Sequence, residues 1–398
     1  MEDGEEEKKQ TIWSWGAGSD GQLSTGSLDD KLLPQSLRPF PATPVIHIAC
    51  GGAHAIALCG GRVLTWGRGT AGQLGHGDSE NCLFPKPVKF FEGLLISHVS
   101  AGWNHSGFVS DNGSVFTCGD GSFGQLGHGE YLSQHSPVRV SFFALKFVQQ
   151  IACGMRHTLV LEKGPSNVSV YGFGLGRRGQ IGLSTDKTRR SFNVPQVISG
   201  FEECEIVSIH ANGDHSAALC DNGYLYTWGR GFSGSSDVHI PQHLFTPLKF
   251  SQVAVGWNHA LLLTVDGAVF MLGGVQHGML AQPQLESRSE QAAFKYLPST
   301  SSSVCRSPVL VEVPGLVGKK VRLISAGAEH SAVVTEDGLI MTWGWGEHGQ
   351  LGLGNTLDQT SPQTVPFGDS PPSPYTELHV YCGSGFTYAV RSVSKHSQ

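Results

Sequence analysis

Six histidines, His54, His105, His157, His215, His259 and His330, stand at one recurring position, three residues after a Gly (Asn212 in the fourth case) and directly before Ser, Thr or Ala. Imidazoles repeated in this way could bind a transition metal or relay protons. A second string, most often aromatic-Gly-x-Gly-x-x-Gly-Gln-Leu-Gly, mimics the loop that cradles a dinucleotide pyrophosphate. It begins at Trp15, Trp66, Cys118, Phe173 and Trp343, with decayed copies at Trp228 and Leu272, seven in all. Repetition argues against both chemistries. Each His belongs to a separate repeat beside a strand start, where a hydrogen bond to backbone or to the neighbouring repeat is the simpler role. The Gly-rich string opens no helix and follows a hairpin, whereas a dinucleotide loop leads from strand to helix. Neither a Gly-x-Ser-x-Gly elbow nor HExxH nor GxxxxGK[ST] occurs, so no enzyme chemistry, cofactor or metal is expected.

The elements that carry these strings follow from their spacing. Twelve or thirteen residues separate each His from the head of the next Gly-rich string, except sixteen between His157 and Phe173, so the two strings form one unit. Between them lie two β-rich runs around Asn-Gly or Asp-Gly, as in SGFVSDNGSVFTCG after His105 and SAVVTEDGLIMTWG after His330. That pattern predicts a two-residue hairpin turn. A Pro-bearing segment such as HSPVRVSF and one more short strand complete a repeat of roughly 50 to 55 residues,. Four short strands per repeat and no helical period predict an all-β chain, a seven-bladed β-propeller of four-stranded antiparallel blades. A Trp-Gly strand at 11–16 and a Gly-x-x-His-like strand at 378–390, with Phe386 in the His position, lack partners of their own. Pairing them completes the last blade and closes the ring, which removes two exposed strand edges. Residues 11–391 are read as this single propeller, 1–10 as an acidic disordered tail and 392–398 as a C-terminal tail. Gln73, Gln125 and Gln350 are expected to satisfy backbone groups of the tight loops, and Trp66, Trp228 and Trp343 to pack between blades.

Composition agrees. Among 398 residues are 53 Gly and 20 Pro but only 15% charged residues, which suits one turn-rich repetitive domain, and 39% hydrophobic residues suffice for a large core,. A net charge of -6 argues against a surface that coats nucleic acid,. Nine scattered cysteines without a CxxC pair suggest a reduced compartment and no disulfide framework,. No secretory signal and no apolar run of about 18 residues is present. A soluble protein of the cytoplasm or nucleus, without membrane contact, is expected.

The paired strings resemble the repeats of the regulator of chromosome condensation family over about residues 11 to 391. The resemblance implies a seven-bladed propeller. Its members include a guanine-nucleotide exchange factor for the small GTPase Ran, a plant UV-B photoreceptor and many interaction proteins. Function must therefore be argued from the positions that vary within the fixed frame. The two central residues of Gly-x-x-His should ring one face near the axis: Gly52-Ala53, Trp103-Asn104, Met155-Arg156, Gly213-Asp214, Trp257-Asn258, Ala328-Glu329 and Ser384-Gly385. Ordinary loop filling would account for such a rim, but two Trp, a Met, an Arg and two acids read better as a partner-docking face. The resemblance to the Ran exchange factor implies that Asp214 with His215 and Glu329 with His330 would engage a Ran-like GTPase. The candidate partner-binding set is thus Trp103, Asn104, Met155, Arg156, Asp214, His215, Trp257, Asn258, Glu329 and His330. A wedge to pry open a nucleotide site has one candidate, the long hairpin Glu162 to Val168. In the UV-B photoreceptor the matching motif is Gly-Trp-Arg-His-Thr on adjacent blades. Here Trp103 and Trp257 are three blades apart, about 150° around the ring, and are expected to lie too far apart to share a chromophore. Direct DNA or chromatin binding is not expected. The linkers Ala281 to Pro308 and Pro366 to Tyr375 break the repeat and are expected to be mobile.

Overall fold

The run after each recurring His is apolar at consecutive positions, as in HAIALC and HALLLT, and all six residues of each of these strands are buried. Continuous burial means that both faces of the strand are covered, which a single exposed sheet cannot provide. Packing blade against blade does so. The computed structural model describes residues 9–38, 40, 43–164, 167–184, 190–201, 204–232, 236–274, 310–367 and 376–393. They form seven four-stranded antiparallel sheets arranged as a propeller. Blade 1 joins the two ends of the chain in the order Lys31–Ser36, Lys9–Gly16, Phe386–Val393, Thr376–Cys382, with Trp13 opposite Ala389. Blades 2 to 7 start with the inner strands Val45–Cys50, Ile96–Ala101, Val148–Cys153, Ile206–Asn212, Phe250–Val255 and Val321–Ala326. Of the expected tails 1–10 and 392–398, residues 9–10 and 392–393 belong instead to the strands Lys9–Gly16 and Phe386–Val393; the rest of both tails and most of the two linkers lie outside the described residues.

Three differences from the sequence reading have local causes. First, the Asn-Gly and Asp-Gly hairpins of blades 3, 5, 6 and 7 carry longer loops rather than two-residue turns, whereas blade 2 has a two-residue turn at Gly60-Gly61, with Cys59 opposite Arg62. In blade 3 the Gly113 amide donates to the Ser110 carbonyl at 2.9 Å and the Ser110 amide to the Ser114 carbonyl at 2.9 Å. Only Gly113 has positive φ, +79°, whereas a two-residue Asn-Gly turn needs two such residues,. Second, a disulfide joins Cys204 and Cys220, whose Cα atoms are 5.9 Å apart. Pairing of Ile206 with Cys220 brings the preceding loop beside the strand, a long-range register that cysteine spacing does not reveal. Third, the hairpin Glu162 to Val168 sits at the opposite end of its strands from the Gly-x-x-His loop, because the strand starts at His157. It does not flank that face.

The recurring His, Ser or Thr, Gln and Trp together clamp neighbouring blades. His54 of blade 2 lies 2.9 Å from the Ser106 hydroxyl of blade 3, which donates to the Gln73 carbonyl of blade 2 at 2.7 Å. Since the hydroxyl proton is committed to Gln73, the His must donate through Nε2–H. His105 with Thr158, His157 with Ser216, His259 with Ser331 and His330 with Thr387 repeat the contact, each at 2.9 Å. Indoles use the same carbonyls: Trp66 Nε1 donates to Gln22, Trp228 to Gln180 and Trp15 to Gln350 at 2.9 to 3.1 Å. Each Gln side chain meanwhile accepts an amide of its own loop, as Gln125 Oε1 does from Phe123 at 2.8 Å. The leading glycine is dictated by the ring, since a Cβ on Gly102 would stand 2.5 Å from His105 Cε1.

Two junctions depart from this rule. His215 faces Ala260, which offers no hydroxyl; both of its ring nitrogens lack partners and the ring stacks on Phe232 at 4.2 Å. Between blades 1 and 2, Phe386 stands in place of His and Ala55 in place of the hydroxyl residue, and the Tyr388 hydroxyl fills the gap by donating to the Gln22 carbonyl at 2.7 Å.

Burial holds these imidazoles neutral, with pKa values lowered to about 3 for His54, His157, His259 and His330 and about 4 for His105 and His215. In the unfolded chain they titrate near 6.5, so below that pH the unfolded state holds more protons and stability falls with falling pH,. Melting temperatures should therefore be level above about pH 7 and drop steadily from pH 6.5 toward 4; a flat profile across that window contradicts neutral clamp histidines. Ser106→Ala, which orphans His54 and the Gln73 carbonyl, should cost about 1–3 kcal/mol in denaturant unfolding. Ala260→Ser should raise stability by about 1 kcal/mol, because it supplies the hydroxyl that His215 lacks.

Candidate functional site

Where Gly-x-x-His loops meet at the hub, their backbones bond directly to one another. The Gly52 amide donates to the Gly102 carbonyl, Trp103 to Gly154, Met155 to Gly213, Trp257 to Ala328, Ala328 to Ser384 and Ser384 to Gly51, at 2.9 to 3.3 Å. Hydrogen-bonded backbones run about 5 Å apart, so seven loops make a collar only about 11 Å across. The two tryptophans therefore do not lie apart, as their 150° separation suggested. Their ring centroids are 5.3 Å apart at an interplanar angle of 53°. Trp103 leans over Gly52 of the preceding blade and Trp257 over Gly213, where a Cβ would stand 2.6 Å from the Trp257 ring. The angular estimate failed because it ignored the small radius at which these side chains sit.

Around this aromatic pair the other rim residues form two groups. Arg230 Nη1 donates to Asn258 Oδ1 at 3.0 Å, and Asn258 Nδ2 donates to Glu329, a chain that crosses blades 5, 6 and 7. Asp214 accepts from Gln180 Nε2 at 2.9 Å. Burial raises its pKa, against the pull of Arg156, Arg178 and Arg230. Arg156 is exposed and lies over the Phe123 ring at 4.8 Å, and Met155 and Asn104 are half-buried. The two histidines of the candidate set are placed differently: His215 and His330 are buried at 1% and 0% exposure. Their rings belong to the blade junctions behind the face and cannot touch a partner, because the collar closes over them.

Below the indole pair runs the axial channel, a cavity of about 510 Å³ that the sequence reading missed. Its wall carries His47, His98, His210, Gln150 and Tyr381 from the inner strands. Burial lowers the pKa of His47 and His210 to about 4 and of His98 to about 3. These rings are held neutral and so add no charge beneath the collar. The signal was present as a polar residue at the third position of inner strands, as in VIHIAC and ISHVSA, but no recurring motif marks it. Among the described residues, no three His, Cys, Asp or Glu side chains converge as metal ligands, and no helix is long and apolar enough to cross a membrane.

Comparison with known proteins gives the architecture a family. Residues 11–389 match the family model described as the RCC1-like domain. The chain is 34% identical over 395 residues to the secretion-regulating guanine nucleotide exchange factor of Bos taurus, covering 95% of this chain and 82% of that protein. It is 33% identical over 360 residues to the ultraviolet-B receptor UVR8 of Arabidopsis thaliana, covering 88% and 75%. Among solved structures, human WBSCR16 superposes with a TM-score of 0.78 at 24% identity, over 98% of this chain and all of that one. Prp20p of Saccharomyces cerevisiae superposes with a TM-score of 0.77 at 24% identity, over 98% and 92%. Seven clamped blades, their closure through both chain ends and these matches together place the chain in the RCC1-like propeller family.

Proposed function

We propose that this chain is a non-enzymatic, regulatory propeller that docks a partner protein on its Gly-x-x-His face, and that the partner is a Ran-like small GTPase. The observation that carries the docking reading is the separation of roles along one repeat. The repeated His, Gln and Trp are buried in the clamps, whereas Trp103, Trp257, Arg156, Asp214, Asn258 and Glu329 remain at least partly accessible around the hub. A half-buried aromatic pair flanked by Arg is the composition of an interface anchor. Two relatives support the GTPase reading: one is named as a guanine nucleotide exchange factor, and the structure of Prp20p is described with its binding properties to Gsp1p and histones. Exchange would proceed without bond chemistry in the propeller. Binding the nucleotide-free GTPase more tightly than the loaded form lowers the affinity for nucleotide by the same factor.

The contact between Trp103 and Trp257 also favours a second reading, absorption of UV-B as in the Arabidopsis relative, since two indoles 5.3 Å apart can share an excitation. Arg156 lies over Phe123 instead of an indole, which separates this site from the Gly-Trp-Arg-His-Thr clusters of that receptor.

Ran loaded with a fluorescent nucleotide should release it faster on addition of this protein; an unchanged release rate at saturating protein would remove the GTPase reading. Replacing both hub tryptophans, Trp103→Ala with Trp257→Ala, should weaken capture of Ran by about thirtyfold, the loss expected for a central aromatic anchor. The melting temperature should change little. If capture is retained while the melting temperature collapses, the rings serve packing alone.

A further inference from the structure

Six of the described cysteines, Cys50, Cys59, Cys82, Cys118, Cys153 and Cys382, are free thiols. Burial pushes Cys59, Cys153 and Cys382 up to about 12, so their nucleophilic thiolate form is scarce,. Cys204 and Cys220 are placed differently. Their bond ties the connection entering blade 5 to the far end of the strand His215–Cys220. The covalent loop between them holds the whole inner hairpin of that blade: Ile206–Asn212, the hub residues Gly213 and Asp214, and His215–Cys220. Cys204 is half-buried beside the exposed Glu205, whereas Cys220 is buried at 2% exposure. Of the two sulfurs, Cys204 Sγ thus offers the approach for a thiolate from solvent. The blade tied in this way lacks a clamp toward blade 6, where His215 has no hydrogen-bond partner. Toward blade 4 it packs Ile209 and Trp228 against Leu161 and Ile198, and Phe201 of the connection rests on Tyr226 and Trp228 at 5.4 and 5.8 Å. Continuous pairing from Ser208 with Leu219 to Asn212 with His215 also holds the hairpin. These contacts keep the blade folded when the sulfurs separate, so the bond adds restraint to a fold that stands without it.

We propose that Cys204 and Cys220 form a reversible redox-modification site, closed by a small disulfide such as oxidised glutathione and opened by a dithiol, and that closure stiffens the hairpin carrying Asp214 to the hub. In closing, the Cys204 thiolate attacks glutathione disulfide, which gives a mixed disulfide and releases one glutathione. Cys220 then attacks Cys204 Sγ, forms the protein bond and releases the second glutathione. Two protein thiols are oxidised, one glutathione disulfide is reduced, and the two thiol protons end on the two glutathiones. In opening, one sulfur of the dithiol attacks Cys204 Sγ and Cys220 leaves as a thiolate that takes up a proton. The second sulfur of the dithiol then attacks the first, frees Cys204 and leaves the reductant as a cyclic disulfide. Closing the covalent loop restricts the local openings through which the hairpin frays. The effect is felt here because the blade 6 side supplies no clamp to restrain His215.

The full chain is incubated with oxidised glutathione or with dithiothreitol, in both cases without denaturant. Free thiols are then trapped with iodoacetamide in urea and mapped by mass spectrometry. Cys204 and Cys220 should be linked after oxidised glutathione and both alkylated after dithiothreitol, while Cys59, Cys153 and Cys382 are alkylated throughout. A bond that survives dithiothreitol, no bond after oxidised glutathione, or a bond elsewhere, such as Cys50 to Cys382, would overturn the assignment. Amide hydrogen exchange on the two forms reads the mechanical effect. Ile206–Asn212 should exchange severalfold faster in the reduced protein, and Ile96–Ala101 of blade 3 at the same rate in both. Reduction should also lower the melting temperature by a few degrees. Cys204→Ser, a change in a half-buried connection, should exchange like the reduced protein in either buffer. Equal exchange over Ile206–Asn212 in the oxidised and reduced forms refutes the stiffening of the hub hairpin.

Discussion

The structure depends on a hydroxyl held between two groups of the preceding blade. Ser106, Thr158, Ser216 and Thr387 each donate to a Gln carbonyl and face a His. None of the three groups can be buried alone without a cost of about 1–3 kcal/mol, and as a set they satisfy one another. Because the donor and acceptors come from adjacent blades, the polar groups can be buried only when the blades are in register. Apolar packing supplies most of the driving force, in clusters that span each junction, as Ile56, Leu58, Phe91 and Phe108 do between blades 2 and 3. Packing alone would tolerate sliding of one blade on the next; the clamp does not.

The same arrangement accounts for the Gly-x-x-His face. Clamping brings the Gly-x-x-His loops close enough for direct backbone bonds, and the collar so formed forces the two residues between Gly and His toward the axis. Those positions are constrained in backbone, and also in side chain where a Trp of the next blade leans over them, as at Gly52 and Gly213. Diversity there disturbs no blade junction, so a rim of Trp, Met, Arg, Asp and Glu can be carried on an otherwise repetitive frame.

Much of this was legible in the sequence. The two strings, their fixed separation and the Asp-Gly or Asn-Gly between them specify blade number, strand number and ring closure, since each is a local pattern repeated many times. The roles of Gln73, Trp66 and His54 could be read for the same reason. What was illegible involved distances between elements. The meeting of Trp103 with Trp257 depends on the hub radius, the Cys204–Cys220 bond on pairing between a loop and a strand, and the placement of Glu162 to Val168 on which end of the blade faces the axis. The broken clamp at His215 is an intermediate case. Ala260 stands in the sequence where a hydroxyl residue is needed, but the need is visible only once His54 is seen beside Ser106.

Blade 1 has a further consequence for how the molecule is made. Its strand Lys9–Gly16 leaves the ribosome long before its neighbour Phe386–Val393, which follows all of blades 2 to 7 in the sequence. During synthesis that early strand can pair on one side only, with Lys31–Ser36, while the apolar surfaces of Ile12 and Trp15 wait for residues still to be translated. Blades 2 to 7 draw their strands from contiguous stretches and can assemble in turn. Completion of the circle thus waits until Phe386–Val393 has been made, and a growing chain halted short of Phe386 presents a sticky edge to whatever chaperone or aggregate reaches it first.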